Sequence, residues 1–290
     1  MTLPFYGLLS GTAVDPIEKK PLHHFLPGSE VFSAGFVGCN MRCPFCQNWT
    51  ISQHTEAAIE RCSPRELVAA ALASGTPSIA YTYSEPSIHF EYLLDAMELA
   101  RDAGLRNVLV TNGCILEEPA RRMLALVDAT NVDLKSWSES RYRSELGGDR
   151  ETVLAFIRAA STLCHLEVTT LVVPELSDGS DDIAEIARFL SGLSPDLAFH
   201  LSAYHPAWKH EAAATTKADL EALAARARAY LRFVYVGNVQ GGSSDTVCPG
   251  CSATVVRRRG YVIDASGLLP SSRPHRAACA SCGVILPIVI

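Results

Sequence analysis

The sequence predicts an α/β protein, a partial (β/α)6-type TIM barrel carrying a small C-terminal four-cysteine metal module. Three observations lead there. Short apolar runs rich in β-branched and aromatic residues alternate with stretches of helical period. Residues of chemical interest gather where those runs end, which is the chemistry-bearing face of a barrel sheet. Two C-x2-C pairs follow a break rich in glycine and serine. A doubly wound open sheet is the competing architecture, and no G-x-G-x-x-G turn supports it.

Along the chain, strands are expected at 31–38, 78–83, 107–111, 131–134, 166–173 and 198–203, with a seventh at 233–236. Helical spacing fills the gaps. Phe90, Leu93, Leu94 and Met97 repeat at i, i+3, i+4, i+7, and so do Ile183, Ile186, Ala187 and Leu190. Leu220, Leu223, Ala224 and Ala227 repeat it again. The run "SPRE" at 63–66 is a helix start: Ser63 caps, Pro64 suits the first position, and Glu66 reaches back to close a capping box. The break at 237–246, "GNVQGGSSDT", divides a barrel at 1–240 from a module at 241–290.

Composition sets outer limits. The 290 residues are 48% hydrophobic and 19% charged, a globular balance. Net charge is −6, unevenly spread: residues 240–290 hold five arginines and two aspartates, about +3, leaving about −9 on the rest. Such a body does not attract nucleic acid, so nucleic acid is not an expected partner. No apolar run reaches the roughly 18 residues of a membrane span, and the first residues lack a basic start and a cleavage site. A cytoplasmic, reducing compartment is expected, without a membrane. The ten cysteines then read as metal ligands or thiols.

Cys39, Cys43 and Cys46 are spaced C-x3-C-x2-C, directly after the first strand. A closed zinc site needs a fourth ligand, and the nearest candidates, His54 and Cys62, fit no familiar spacing. A [4Fe–4S] cluster held by three thiolates instead leaves one iron open. In the tail, Cys248, Cys251, Cys279 and Cys282 form paired knuckles that complete a tetrahedral four-thiolate site. Zinc is the metal expected there, with iron or an auxiliary iron–sulfur cluster as the alternative. Between the knuckles, "TVVRRRGYVI" reads as a hairpin turning at Gly260, with arginines 257–259 on a solvated face. Cys62, Cys114 and Cys164 stand alone. Of these only Cys114 lies at a strand tip, where a radical-relay role would require its thiol to be exposed.

These motifs together carry a resemblance. The cysteine loop with Phe45 before its third cysteine is similar to that of the radical SAM enzymes. "AVDPIEKKPLHHFLPGS", "YTYSEP", "TNG", "NVDLKSW", "LVVPELSD", "YHPAWK" and "YVGNV" extend the likeness over nearly the whole chain. The set resembles the radical SAM proteins of the AmmeMemoRadiSam system, relatives of the pyruvate formate-lyase activating enzymes. The resemblance implies the radical SAM fold, a [4Fe–4S] cluster at Cys39, Cys43 and Cys46, and S-adenosylmethionine on the open iron. It implies reductive cleavage to a 5′-deoxyadenosyl radical that abstracts hydrogen from a substrate. Glu85 of "YSEP" would accept from the methionine amino group, Asp133 and Lys135 would reach the cofactor carboxylate, and His205 would meet the adenine. Asn112 and Gly113 mark a strand tip that a ligand can approach closely. A small-molecule substrate is expected, with flavodoxin or ferredoxin as electron donor. Two alternatives stand beside it: an activase acting on a partner protein, and a zinc-stabilised nucleic-acid-binding protein without enzymatic activity.

Overall fold

Each of the seven apolar runs forms a strand in the computed structural model, which describes residues 5–53, 59–239 and 244–290. The chain packs as two units. The first takes residues up to Asp15, Glu30–Leu166 and Pro206–Ala213. The second takes Pro16–Ser29, Glu167–His205 and Ala214–Ile290.

In the first unit the elements are β1 (Leu8–Pro16), β2 (Glu30–Phe36), α1 (Trp49–Ser52), β3 (Glu60–Arg61), α2 (Pro64–Ser74) and β4 (Ser78–Thr82). They continue with α3 (Phe90–Asp102), β5 (Arg106–Thr111), α4 (Glu117–Leu124), β6 (Ala129–Asp133), α5 (Glu139–Arg141) and α6 (Arg150–Leu163). The strands lie in the order β3-β1-β2-β4-β5-β6. From β2 to β6 every pair is parallel, as helical crossovers require, while β3 runs antiparallel to β1. β4 is buried along its whole length, so it carries no polar alternation. Helix α2 starts with the expected reciprocal box between Ser63 and Glu66 and stops at Gly75, whose φ of 76° is the left-handed stop that glycine allows. Helix α3 turns its buried stripe to Tyr92, Leu93, Ala96, Met97 and Ala100 rather than to Phe90 and Leu94. Phe90 instead lies under the Arg122 guanidinium, 5.3 Å from its ring centre. Strand β1 had no sequence signal of its own, because three of its central residues are exposed and it lacks a continuous apolar run.

In the second unit β7 (His165–Val172), α7 (Ser180–Leu193), β8 (Ala198–Ala203), α8 (Lys217–Ala227) and β9 (Phe233–Gly237) repeat the parallel β/α pattern, with β7, β8 and β9 adjacent in that order. Helices α7 and α8 bury the four residues that the spacing assigned to each. The tail adds β10 (Thr246–Val247), β11 (Thr254–Arg259), β12 (Val262–Asp264), β13 (Leu268–Pro270) and β14 (Ala277–Cys279). β11 and β12 form the expected hairpin, turning at Gly260 with φ 61°. Val255, Val256, Ala277, Leu286 and Ile288 close a small core with Cys248 and Cys279. Farther on, the Val289 N–H donates to the His24 carbonyl and the Leu26 N–H donates to the Val289 carbonyl, so the tail pairs with the 16–29 segment.

The arginine run is not a uniformly solvated face. Arg257 and Arg259 are exposed, but Arg258 alternates inward and is only 2% exposed. Its guanidinium donates to the carbonyls of His23 (2.7 Å) and Ser244 (2.8 Å) and to the Thr246 hydroxyl (2.8 Å). Nearby, the carboxylate of Glu167 is fully buried. It accepts from the backbone N–H groups of His23 (3.0 Å) and His24 (2.7 Å) and pairs with the His200 imidazole at 2.7 Å. The Tyr235 hydroxyl links His24 (2.6 Å) to Thr246 (2.9 Å). Among the described residues no helix is long and apolar enough to cross a membrane.

Candidate functional site

The three-cysteine loop leaves β2 at Gly38, whose φ of 88° turns the chain. Backbone bonds pin the turn: Gly38 N–H donates to the Ile51 carbonyl at 2.8 Å, and Glu85 N–H donates to the Gly38 carbonyl at 3.2 Å. Beyond it, the Gln53 amide donates to the Met41 carbonyl and the Arg42 N–H to the Leu146 carbonyl. The loop is thus shaped by its own unit. Cys43 is buried, while Cys39 and Cys46 are partly exposed.

The three sulfurs have distinct surroundings. Cys39 Sγ accepts from the Met41 N–H at 3.3 Å and from the Asn112 amide at 3.7 Å. Burial, and next to it the charge of Glu85, push its thiol up to about 12. Burial also raises Cys43, while the nearby Lys135 ammonium pulls the other way. Cys46 Sγ lies 3.2 Å from the Ser52 hydroxyl. Thiols held protonated by burial need cationic iron to ionise, and they then release protons on binding.

Spacing separates the two cysteine sets. A tetrahedral ion with bonds of about 2.3 Å to sulfur holds its sulfurs about 3.8 Å apart. Cys248 and Cys282 stand 3.7 Å apart, Cys251 and Cys279 likewise, and all four sulfurs lie within 4.8 Å of one another. That suits a single ion and is too tight for a cube of four irons. Cys39, Cys43 and Cys46 form no such tight group among the described residues. His54 lies outside the described residues. Cys62 turns its thiol to the Ser63 carbonyl at 3.6 Å.

Glu85 follows β4 and is 1% exposed. One carboxylate oxygen accepts from Ser87 N–H (3.0 Å) and the Thr111 hydroxyl (2.7 Å), and the other accepts from Asn112 N–H (2.7 Å). It therefore caps the turn into α3 and ties the ends of β4 and β5 together. Burial raises its pKa against the pull of those donors. A carboxyl raised on folding loses stability as pH climbs from its ordinary value through its folded value. Glu85→Gln removes that slope, and it also sets an NH2 against the Asn112 N–H. The expected cost is about 1–3 kcal/mol, read from chemical denaturation at several pH values.

Asn112, after β5, is held on every side: its carbonyl oxygen accepts from Cys114 N–H at 2.8 Å, and its NH2 donates to Asn40 Oδ1 at 2.8 Å. Asp133, the last residue of β6, and Lys135 flank Leu134 and pair at 3.0 Å, with the Asp133 side chain 38% exposed and that of Lys135 16%. Desolvation would lower the Lys135 pKa, but Asp133 and then Cys43 raise it, so the ammonium stays charged. These four residues and the cysteine loop belong to one unit, at the C-terminal ends of neighbouring strands. His205 belongs to the second unit, where its ring lies 3.1 Å from the Asn238 carbonyl. Cys164 points its thiol to the Ala160 carbonyl, away from any strand tip, whereas Cys114 is half-buried beside Asn40 and Asn112.

Neither Asn40 nor Tyr83 carried a role in the sequence. Tyr83, between β4 and Glu85, has φ 74°, an uncommon conformation for a bulky residue. Its hydroxyl donates to the buried Asp15, which also accepts from Ser33 at 2.7 Å. The ring sits over Gly35, where a Cβ would come within 3.1 Å of it. The signal available was Gly35 itself, inside an otherwise apolar strand.

Residues 35–190 match the Radical SAM superfamily. An uncharacterized protein of Methanocaldococcus jannaschii is 36% identical over 98% of this chain and 86% of its own length. The pyruvate formate-lyase 1-activating enzyme of Escherichia coli strain K12 is 23% identical over 62% of this chain and 76% of its own. Among solved structures, a radical SAM methyltransferase from Sphaerobacter thermophilus superposes with TM-score 0.59 at 18% identity, covering 79% of this chain and 70% of its own. QueE from Escherichia coli superposes with TM-score 0.53 at 16% identity, covering 80% and 96%. These two likenesses concern the fold.

Proposed function

Since the chain belongs to the Radical SAM superfamily and is an S-adenosylmethionine-dependent enzyme, we propose that Cys39, Cys43 and Cys46 hold its [4Fe–4S] cluster and that its substrate is a small molecule. Such a cluster, once reduced, would supply one electron to S-adenosylmethionine and split a carbon–sulfur bond, giving methionine and a 5′-deoxyadenosyl radical that would take hydrogen from the substrate. The observation that carries this reading is the placing of the three-thiol loop beside Lys135, Asp133, Glu85 and Asn112 within one unit. Lys135, charged and mostly buried, is suited to hold a carboxylate. Asp133, more exposed, keeps it oriented and can accept from an amino or hydroxyl group. Glu85 has three donors already and serves mainly to fix the strand ends. His205 is kept as the adenine contact and Asn112 as a residue lining the site. The chemistry falls in the segment 1–240, and 241–290 supplies the metal module.

Anaerobic reconstitution with iron and sulfide, followed by reduction with S-adenosylmethionine present, tests the proposal. Formation of 5′-deoxyadenosine is expected, and its absence with a full cluster would sink it. The electron donor belongs to the flavodoxin or ferredoxin class in a reducing cytoplasm. An activase reading draws support from the likeness to the Escherichia coli activating enzyme. Deuterium moving into 5′-deoxyadenosine from a labelled protein rather than from labelled metabolites would favour it. The zinc-stabilised nucleic-acid-binding reading fails on family membership, and Arg258 is spent on internal contacts.

For the tail we propose zinc at Cys248, Cys251, Cys279 and Cys282, with iron as the alternative; the close sulfurs support a single ion rather than an auxiliary cluster. Changing Cys251 and Cys282 together to serine should release that ion and lower the melting temperature. Cleavage of S-adenosylmethionine at a temperature below the new midpoint should persist. Metal analysis of the full chain checks the first outcome and product chromatography the second.

A further inference from the structure

We propose that Asn112 is a tuning residue for the cluster: its side-chain amide, oriented by Asn40, donates to the Cys39 sulfur and makes the cluster easier to reduce. The inference rests on the cluster being held by Cys39, Cys43 and Cys46.

The geometry leaves the Asn112 amide one orientation. Its carbonyl oxygen is taken by the Cys114 N–H at 2.8 Å. Its NH2 then faces two acceptors, Asn40 Oδ1 at 2.8 Å and Cys39 Sγ at 3.7 Å, one for each hydrogen. Asn40 is oriented in turn, because its own NH2 donates to the Cys114 carbonyl at 2.7 Å. A flipped Asn112 would set oxygen against oxygen at Asn40 and NH2 against N–H at Cys114. The residue is 5% exposed, so water does not compete freely.

The contact also sits beside a buried carboxylate. Glu85 is 1% exposed and lies on the other side of Asn112 from Cys39. Asn112 stands between them, with its backbone N–H on the Glu85 carboxylate (2.7 Å) and its side-chain N–H on the sulfur. A thiolate on a cluster gains negative charge when the cluster takes an electron. A donor on that sulfur binds more strongly in the reduced state and raises the reduction potential. Lys135 brings positive charge near Cys43, and Cys46 Sγ lies 3.2 Å from the Ser52 hydroxyl. Cys39 has the Met41 N–H and Asn112.

The test uses the full chain, reconstituted anaerobically as wild type, Asn112→Ala, Asn112→Asp and Asn40→Ala. Iron and sulfide content report assembly. The midpoint potential is followed by electron paramagnetic resonance without S-adenosylmethionine. Asn112→Ala should assemble a full cluster with a more negative midpoint. Asn112→Asp keeps an oxygen for the Cys114 N–H but puts a carboxylate against the sulfur. Its midpoint should be lower still at neutral pH and should rise on acidification, as the protonated acid regains a donor. Asn40→Ala should shift the same way by less. Wild-type midpoints in both Asn112 variants would overturn the proposal. An unchanged midpoint with weakened binding of S-adenosylmethionine would overturn it too, making Asn112 a contact of that cofactor. Should the Asn112 variants fail to assemble, a wild-type midpoint in Asn40→Ala counts against it. A wild type that takes up no cluster removes the underlying reading as well, and iron content identifies that case.

Discussion

Cys43→Ala is expected to abolish both the visible iron–sulfur absorption and the formation of 5′-deoxyadenosine. Cys43 is the most enclosed of the three loop thiols, at 8% exposure. Its loss leaves two thiolates at a buried site, with the Lys135 ammonium deprived of the negative charge that Cys43 would present. Two thiolates and a vacancy do not hold a cube of four irons, so iron content should fall to background rather than by a fraction. The controls are Cys62→Ala and Cys164→Ala. Their thiols meet backbone carbonyls at 3.6 Å in their own segments, and cluster content should stay at the wild-type level. A Cys43→Ala protein that keeps its iron and still yields 5′-deoxyadenosine would refute the assignment of the loop.

Glu167→Ala should give the largest loss of stability, about 3–5 kcal/mol, the range for removing one partner of a buried charged network. The substitution strands the N–H groups of His23 and His24 and removes the partner of His200. Arg258→Met addresses the same network from the tail, leaving the His23 carbonyl and the Thr246 hydroxyl short of a donor. Because the two share the 16–29 segment, the double variant should cost less than the sum of the singles. Urea denaturation of the three variants checks both statements. A loss under 1 kcal/mol for Glu167→Ala would show the carboxylate to be dispensable.

Local pattern was the legible part of this protein. Short apolar runs located the seven strands and period-3.6 spacing located the buried stripes of α7 and α8, since each depends on residues a few positions apart. The three-thiol loop, the two knuckles and the turn at Gly260 were readable for the same reason. What stayed hidden was set by long-range packing. The inward turn of Arg258 depends on a partner in the 16–29 segment, and a run of three arginines carries no mark of which one is buried. Glu167 reads as a polar residue at a strand start until His23, His24 and His200 surround it. In the site itself, the tie that Glu85 makes between β4 and β5 was hidden, because it joins residues of separate strands. The contact of Asn40 with Asn112 joins residues from separate loops, so no spacing announces it. Tyr83 was masked by its size, since glycine is the residue that usually signals a positive φ.

The pairing of Val289 with His24 and Leu26 closes a very long loop. Bringing its ends together carries an entropic cost, one that grows only slowly with loop length. Contacts of such sequence separation slow folding, so this pairing is a non-local step in the assembly of its unit. Bulk added directly after Ile290 would crowd the backbone bonds of Val289, whereas a long flexible spacer would leave them room.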